Sequence, residues 1–118
     1  MAGVWSVASV SVDGVKADNG TNTIEFVVDP VESSVASFTV RLVRTGTSCD
    51  VVGGLWHVHD NKLYLDKLNL QAAVACEIPE PGSVATIRTG LGLGGLAYRP
   101  TDSGLTLSSE LVTIELKR

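Results

Sequence analysis

His57 and His59 are the residues of this sequence whose type and spacing best suit chemistry. Residues two apart on a β-strand project from the same face, so both imidazole rings could reach one metal ion. A usual zinc site has four ligands, and only Asp50 and Asp60 stand nearby as further candidates. Two solvated polar side chains on the outer face of a hairpin are therefore the favoured interpretation. We predict no metal and no other cofactor, and keep a metal-binding protein that uses His57 and His59 as an alternative.

The glycine-rich segment of residues 90–95 has the letters of a dinucleotide-binding fingerprint. That fingerprint works where a strand turns tightly into a helix whose N-terminus holds pyrophosphate. Here the glycines follow a predicted helix and precede a predicted strand, so a helix-to-strand connection is favoured. The sequence also has no nucleophile elbow and no cysteine with electropositive neighbours. We therefore predict no catalytic residues and no enzyme activity.

The charge of the chain excludes several kinds of partner. A protein that neutralises phosphates needs a concentrated basic face, whereas here nine Lys and Arg residues are scattered through a chain of net charge −4. Nucleic acid and anionic membrane are therefore not expected as partners. No apolar run approaches the roughly 20 residues of a membrane-spanning helix. As written, the sequence predicts a cytoplasmic protein, or an envelope or secreted one where an N-terminal signal has been removed.

The apolar residues favour sheet over helix, since Val, Leu and Ile dominate them and 12 glycines supply turns. The two-residue alternation predicts a mainly β domain spanning residues 1–118, an antiparallel meander or barrel-like sheet of about eight short strands. One short helix, residues 84–91, follows Cys76 and starts from an N-cap at Ser83. The predicted strands cover residues 4–12, 23–28, 37–44, 55–59, 62–65, 72–76, 96–99, 105–107 and 111–116.

The first two strands carry signals that show where each one bends or ends. In the first, the apolar phase changes between Val7 and Val10, which predicts a β-bulge near Ala8 and Ser9. In the second, Pro30 lacks the N–H that a ladder requires, so the strand is expected to stop before it.

A hairpin is predicted in the middle of the chain. Residues 45–50 are expected to form a loop, and the glycine pair of residues 53–54 is expected to open the hairpin. The Asp60-Asn61 pair then joins two short alternating strands, which is a strong hairpin signal.

The two cysteines and the two tryptophans are expected to have structural roles. Cys49 and Cys76 lie far apart in the sequence, and their spacing is not that of metal ligands. Two interpretations remain open, namely two buried thiols or one disulfide. Trp5 and Trp56 fall on predicted inward faces, so we assign them to the core rather than to ligand stacking.

A series of short motifs also recurs in the order of a known family. The motifs are Trp5-x-Val7-x-x-Val10, Cys49-Asp50, Gly53-Gly54-Leu55-Trp56, Asn61-Lys62-Leu63-x-Leu65, Ala73-Val74-Ala75-Cys76, and the closing segments of residues 105–107 and 112–116. Together they resemble the META domain of small HslJ-like bacterial envelope proteins and of trypanosomatid proteins. Two positions depart from the family pattern, since Asp50 stands where Asn is usual and the Thr before the Ala-Cys segment is missing.

The resemblance implies an antiparallel β-structure with one packed helix and a non-enzymatic accessory or binding role in stress response, secretion or virulence. It marks Trp5, Cys49, Asp50, Gly54 and Trp56 as family-like positions. The expected partner is another protein, bound by a monomer or a weak dimer. One alternative is a small apolar-ligand carrier, because the Gly-x-Trp start and the many short strands also resemble lipocalin-like barrels. A filled barrel interior would exclude that alternative.

Overall fold

A computed structural model describes residues 3–17, 23–30, 35–70, 81–93 and 95–118 of the chain. Within them, the strands are β1 (Gly3–Val12), β2 (Val15–Lys16), β3 (Thr23–Pro30), β4 (Val35–Arg44), β5 (Thr47–His59), β6 (Lys62–Leu70), β7 (Leu96–Pro100), β8 (Gly104–Ser108) and β9 (Val112–Lys117). A single helix, α1 (Gly82–Leu93), lies between β6 and β7 in this part of the chain. Its 12 residues fall short of the length that a membrane-spanning helix needs.

The strands form a closed antiparallel barrel. The sheet order is β2-β1-β3-β4-β5-β6-β7-β8-β9, and a further pairing of β1 with β9 joins the two sides. The two-residue strand β2 pairs with the end of β1 and stands outside this ring of eight strands in the described chain. The predicted mainly β fold with one short helix is confirmed. Strand β2 was not predicted, because two residues are too few to show an alternation.

The bulge predicted in the first strand is present. Val7 pairs with Leu116 and Ser9 pairs with Glu115, so Ala8 is the extra residue of β1. This insertion keeps both Val7 and Val10 buried on the inner face. It lies in the β1–β9 ladder, where it bends the strand that closes the barrel.

The barrel interior is filled with apolar side chains. Phe26, Phe38 and Trp56 come from three neighbouring strands and stack with ring centroids 5.0–5.7 Å apart. Trp5 pairs with Phe26 in the register and is 6% exposed, so both tryptophans belong to the core, as predicted. Other fully buried side chains come from β1, β3, β4, β6, β7, β8, β9 and the helix: Val10, Ile24, Val40, Leu42, Leu63, Ile87, Leu91, Leu96, Leu107 and Ile114.

Several predicted strand ends were wrong, among them the end of β6, which continues to Leu70 instead of stopping at residue 65. Strand β3 continues through Pro30, which pairs with Ala36, because a proline in the last position of a strand removes no hydrogen bond from its interior. Strand β5 begins at Thr47, so residues 47–50 belong to a ladder and only Thr45 and Gly46 form the turn. The register shifts after Val40, and this second bulge hides the strand from an alternation argument.

The glycine pair of residues 53–54 lies inside β5 and does not open a hairpin, so that prediction was also wrong. A Cβ atom on Gly54 would collide with the backbone carbonyl oxygen of Lys67 and approach Phe38 Cε1 to 3.0 Å. Gly54 is therefore present because β6 and the Phe38 ring come too close to its backbone for a side chain.

The helix occupies the predicted region but starts earlier, at Gly82. Ser83 is not the N-cap, since it lies within the first turn with its hydroxyl buried and without a hydrogen-bond partner. Further along, a Cβ on Gly90 would lie 2.8 Å from Val112 Cγ1, so the glycine lets the helix pack closely on β9. Gly90 thus serves close packing, and Gly95, with φ +61°, lies where the chain has left the helix.

Two expectations lie outside the described residues. They are the strand of residues 72–76 and the position of Cys76.

Candidate functional site

The β5–β6 hairpin carries the histidines that the sequence singled out. Its turn is formed by Asp60 (φ 51°) and Asn61 (φ 62°), a left-handed pair that matches the twist of the two strands. The predicted hairpin is therefore confirmed. Its backbone is fixed on both sides near His57, which pairs with Val35 of β4 and with Tyr64 of β6.

The two faces of the hairpin differ as the alternation predicts. Trp56 and Leu63 are each 2% exposed and point into the barrel. His57, His59 and Tyr64 lie on the outer side. We call the group formed by His57, His59, Tyr64 and Asp66 the hairpin face.

His57 is held by two neighbours. Its Nδ1 lies 2.7 Å from Oδ1 of Asp66, and its ring stacks on Tyr64 with centroids 5.5 Å apart. Asp66 reaches this position because the β5–β6 register shifts between Leu55 and Trp56, which makes Asp66 an extra residue of β6. An ionised carboxylate can only accept, so Nδ1 is the donor of this hydrogen bond, and Nε2 takes no part in it.

His59 is more exposed and less constrained. Its side chain is 71% exposed, and Nε2 lies 3.2 Å from Oδ2 of Asp60 at the turn. Its ring also neighbours Tyr64, at 6.5 Å between centroids and tilted by 52°. Tyr64 is thus the shared neighbour of both imidazoles.

The structure brings the two histidines to one face but does not add Asp50 to them. Asp50 instead pairs with Arg41 on the outer surface of β4 and β5, with Arg41 Nε 2.9 Å from Oδ1. The hydrogen bond to Asp50 and its charge raise the pKa of Arg41, and Glu25 adds a longer contact of 3.9 Å. In the described residues, no group of three or more His, Cys, Asp and Glu side chains is arranged as a metal site.

Three of the other family-like positions, Trp5, Cys49 and Trp56, lie in the core or pack against it. Trp5 and Trp56 are buried, and the Arg118 guanidinium lies 4.5 Å from the Trp5 ring centroid. Cys49 packs against the core and is disulfide-bonded. Of the two alternatives left open for the cysteines, buried thiols or a disulfide, Cys49 therefore shows the disulfide, and Cys76 lies outside the described residues.

An open groove is found elsewhere on the barrel, beside β7 and the β8–β9 turn. It has a volume of about 620 Å³ and is lined by Lys62, Gly95, Ala97, Ser108, Ser109, Glu110 and Leu111. Its two charged groups, Lys62 and Glu110, have opposite signs, so they do not favour a ligand of one charge, and we assign no function to this groove.

Sequence reasoning found His57 and His59 but missed the roles of Tyr64 and Asp66. Tyr64 could have been found, since residues opposite each other across the Asp60-Asn61 turn pair by simple counting. Asp66 could not, because its place beside His57 depends on the bulge.

No protein-family model, no curated protein and no solved structure matches this chain.

Proposed function

We propose that this chain is a non-enzymatic binding protein of META type that recognises another protein through the hairpin face. The observation that carries the proposal is the contrast between the two sides of the β5–β6 hairpin. The inner side contributes Trp56 to a stacked aromatic core, and the outer side presents two imidazoles, a phenol and a carboxylate in mutual contact. The partner protein is then recognised by the outer surface of the barrel.

The filled interior favours this function over an apolar-ligand carrier. A carrier needs a lumen, whereas the rings of Phe26, Phe38 and Trp56 occupy the barrel interior on the inner face of β3, β4 and β5. The apolar side chains of β9 and of the helix fill space elsewhere in the described chain. An eight-stranded barrel has an interior that either its own side chains fill or one small ligand occupies, and here side chains fill it, which leaves the outer surface for binding.

The residue types of the hairpin face suit a protein partner. Tyrosine is enriched in the centres of protein interfaces because it offers a large rigid surface and one polar group. Tyr64 is half-buried between two histidines, and its strand is fixed by the β5–β6 ladder, so little side-chain and backbone entropy is lost on binding. The roles in stress response, secretion or virulence belong to the META resemblance and are proposed with it.

Site-directed photo-crosslinking tests the proposal. A benzophenone amino acid is placed at Tyr64 in one variant and at Thr113 in a matched control, and both are expressed in the source cells. Thr113 is half-buried and lies on β9, three strands from Tyr64's strand β6 in one direction around the barrel and five in the other. We expect one discrete protein adduct from position 64 that position 113 does not form.

A second arm links the adduct to the hairpin face. The Asp66→Ala change in the position-64 variant removes the carboxylate that holds His57. The adduct yield should fall several-fold while thermal unfolding stays within a few degrees. Identical adducts at positions 64 and 113, or none at either, would contradict a specific protein partner at this face.

A further inference from the structure

The geometry points to a second property of the hairpin face: we propose that His57 and His59 together bind one Cu²⁺ ion, with solvent completing its coordination. The juxtaposition that carries the proposal is two imidazoles on one face of β5, with one of them already oriented by a carboxylate. Metal binding by this pair does not depend on whether a partner protein docks on the same face.

The spacing of the two histidines matches a chelate. Alternate residues on a strand lie about 6.7 Å apart along its axis. Imidazole nitrogens bind first-row metals at about 2.0–2.1 Å, so two rings leaning toward each other from that spacing can meet one ion between them. Both rings neighbour Tyr64, at 5.5 and 6.5 Å between centroids, which places them on the same side of the sheet.

The contact between His57 and Asp66 prepares one ligand nitrogen. Metal-binding histidines usually donate their other ring N–H to a carboxylate, a backbone carbonyl or water, which fixes the tautomer and makes the ligand nitrogen more basic. The 2.7 Å contact between His57 Nδ1 and Asp66 Oδ1 has this form before any metal is bound, and it leaves Nε2 as the ligand atom. In this role Asp66 is a positioning residue.

His59 supplies the second nitrogen by rotating its side chain. The ring is 71% exposed, and its contact is with Asp60, whose side chain is 86% exposed. A contact between two exposed groups is weak and gives way readily. Near the two rings, the two negative charges of Asp60 and Asp66 exceed the one positive charge of Lys62, which pairs with His59. The whole chain also has a net charge of −4, so the electrostatic potential here favours binding of a cation.

Two protein nitrogens with water select copper among the common divalent ions. Affinity at a nitrogen site rises through the first-row metals to Cu²⁺ and then falls at Zn²⁺. Cu²⁺ also accepts a tetragonal arrangement with two imidazoles and solvent, whereas structural Zn²⁺ sites require four protein ligands. The absence of a third His, Cys, Asp or Glu ligand among the described residues therefore matters less for copper than for zinc.

Calorimetric titration of the full chain with CuCl₂, together with copper electron paramagnetic resonance, tests the proposal. We expect one ion per chain and a signal with two nitrogen couplings. His57→Ala and His59→Ala should each weaken binding at least tenfold and leave one coupling, and the double variant measures copper bound elsewhere on the chain. Asp66→Asn keeps a hydrogen-bond acceptor without the charge and should weaken binding about tenfold.

Asp50→Asn is the matched control, since it removes a carboxylate of the same strand that contacts Arg41 and no histidine. It should leave copper affinity unchanged. All the variants are surface changes, so thermal unfolding checks that each is folded before titration. Equal copper affinity in the unsubstituted chain and in the double variant, or an unchanged resonance signal in both single histidine variants, would overturn the proposal.

Discussion

Two regions of the barrel are held together in different ways. The first, the aromatic wall, consists of β3, β4 and β5, where the β4–β5 ladder includes every residue of Val35–Arg44 and the Phe26, Phe38 and Trp56 rings stack on the inside. The second, the seam, is the junction of β6 with β7, which pair only through Lys62–Ala97 and Leu63–Leu96 in the described residues. Helix α1 precedes β7 and contacts both seam strands.

The difference shows two ways of closing a barrel. Strands joined by short turns pair along their length, because the turn brings their ends together and the register extends from it. Strands β6 and β7 are separated along the chain by the helix and by residues outside the described set, so their pairing gains nothing from a local turn. The hairpin face lies between the two regions, on the strand that belongs to the wall and the strand that begins the seam.

Truncating a wall ring tests the contribution of the aromatic stack. Phe38 is 2% exposed and stacks on both Phe26 and Trp56. Phe38→Ala should lower the free energy of unfolding by about 3–5 kcal/mol through lost transfer energy and a cavity, measured by urea denaturation. Leu111→Ala, at a side chain that is 52% exposed, should change it by less than about 0.5 kcal/mol. Equal losses of unfolding free energy in the two variants would show that the aromatic stack does not stabilise the barrel more than an exposed side chain does.

Hydrogen exchange in the native state compares the two regions directly. The amide of Tyr98 bonds to the Asn61 carbonyl at 3.3 Å, next to the two-residue seam, while Val40 and Val52 pair in the middle of the wall. We expect seam amides to exchange at least about 100-fold faster, because few ladder bonds must break to expose them. Similar protection in both regions would mean that the seam opens only with the whole barrel.

Gly54 tests how tightly the wall approaches β6. In Gly54→Ala the new Cβ meets the Lys67 carbonyl oxygen and Phe38 Cε1, and the backbone atom cannot move aside by a rotamer change. We expect a loss of about 1–3 kcal/mol in the free energy of unfolding. A stable variant with unchanged thermal unfolding would show that β5 and β6 separate without cost.

A matched pair of helix glycines tests the packing of α1 on β9. Gly90→Ala places a Cβ 2.8 Å from Val112 Cγ1, whereas Gly92→Ala places one where no atom lies within 4 Å. The first should lose about 1 kcal/mol despite better helix propensity, and the second should gain about 0.5–1 kcal/mol. Thermal unfolding of both variants checks the sign, and a gain in both would show that the helix can move away from β9.

The smallest effect is expected at the ion pair on the outside of the wall. Arg41→Met removes the contacts to Asp50 and Glu25. It should lower the free energy of unfolding by about 0.2–1 kcal/mol at low salt and by less at high salt. The effect is small because the Arg41 and Asp50 side chains are 37% and 45% exposed. The hydrogen bond to Asp50 and its charge raise the pKa of Arg41 above the ordinary value of a guanidinium, so this contribution is present at lower pH and is lost only as the pH rises through that raised value. The difference in free energy of unfolding between the unsubstituted chain and Arg41→Met, measured by urea denaturation, should therefore be constant from about pH 7 to 10. A difference that changes within this pH range would contradict a contribution from the charged Arg41–Asp50 pair.

Much of the fold could be predicted from local patterns. The alternation of β4 identified its buried face, and the changed phase in β1 located the bulge at Ala8. The Asp60-Asn61 turn defined the hairpin and put His57 and His59 on its outer face. Where the prediction failed, as at the start of β5, a bulge had shifted the alternation within a strand that pairs on both sides.

The sequence by itself determined which side chains face inward, because the two-residue period of a strand is a local property of the backbone. Only the tertiary structure decided that β1 meets β9, that Gly90 packs on Val112, and that Asp66 lies beside His57. Each of those contacts depends on the register between separate elements, and a shift of one residue would reverse the outcome.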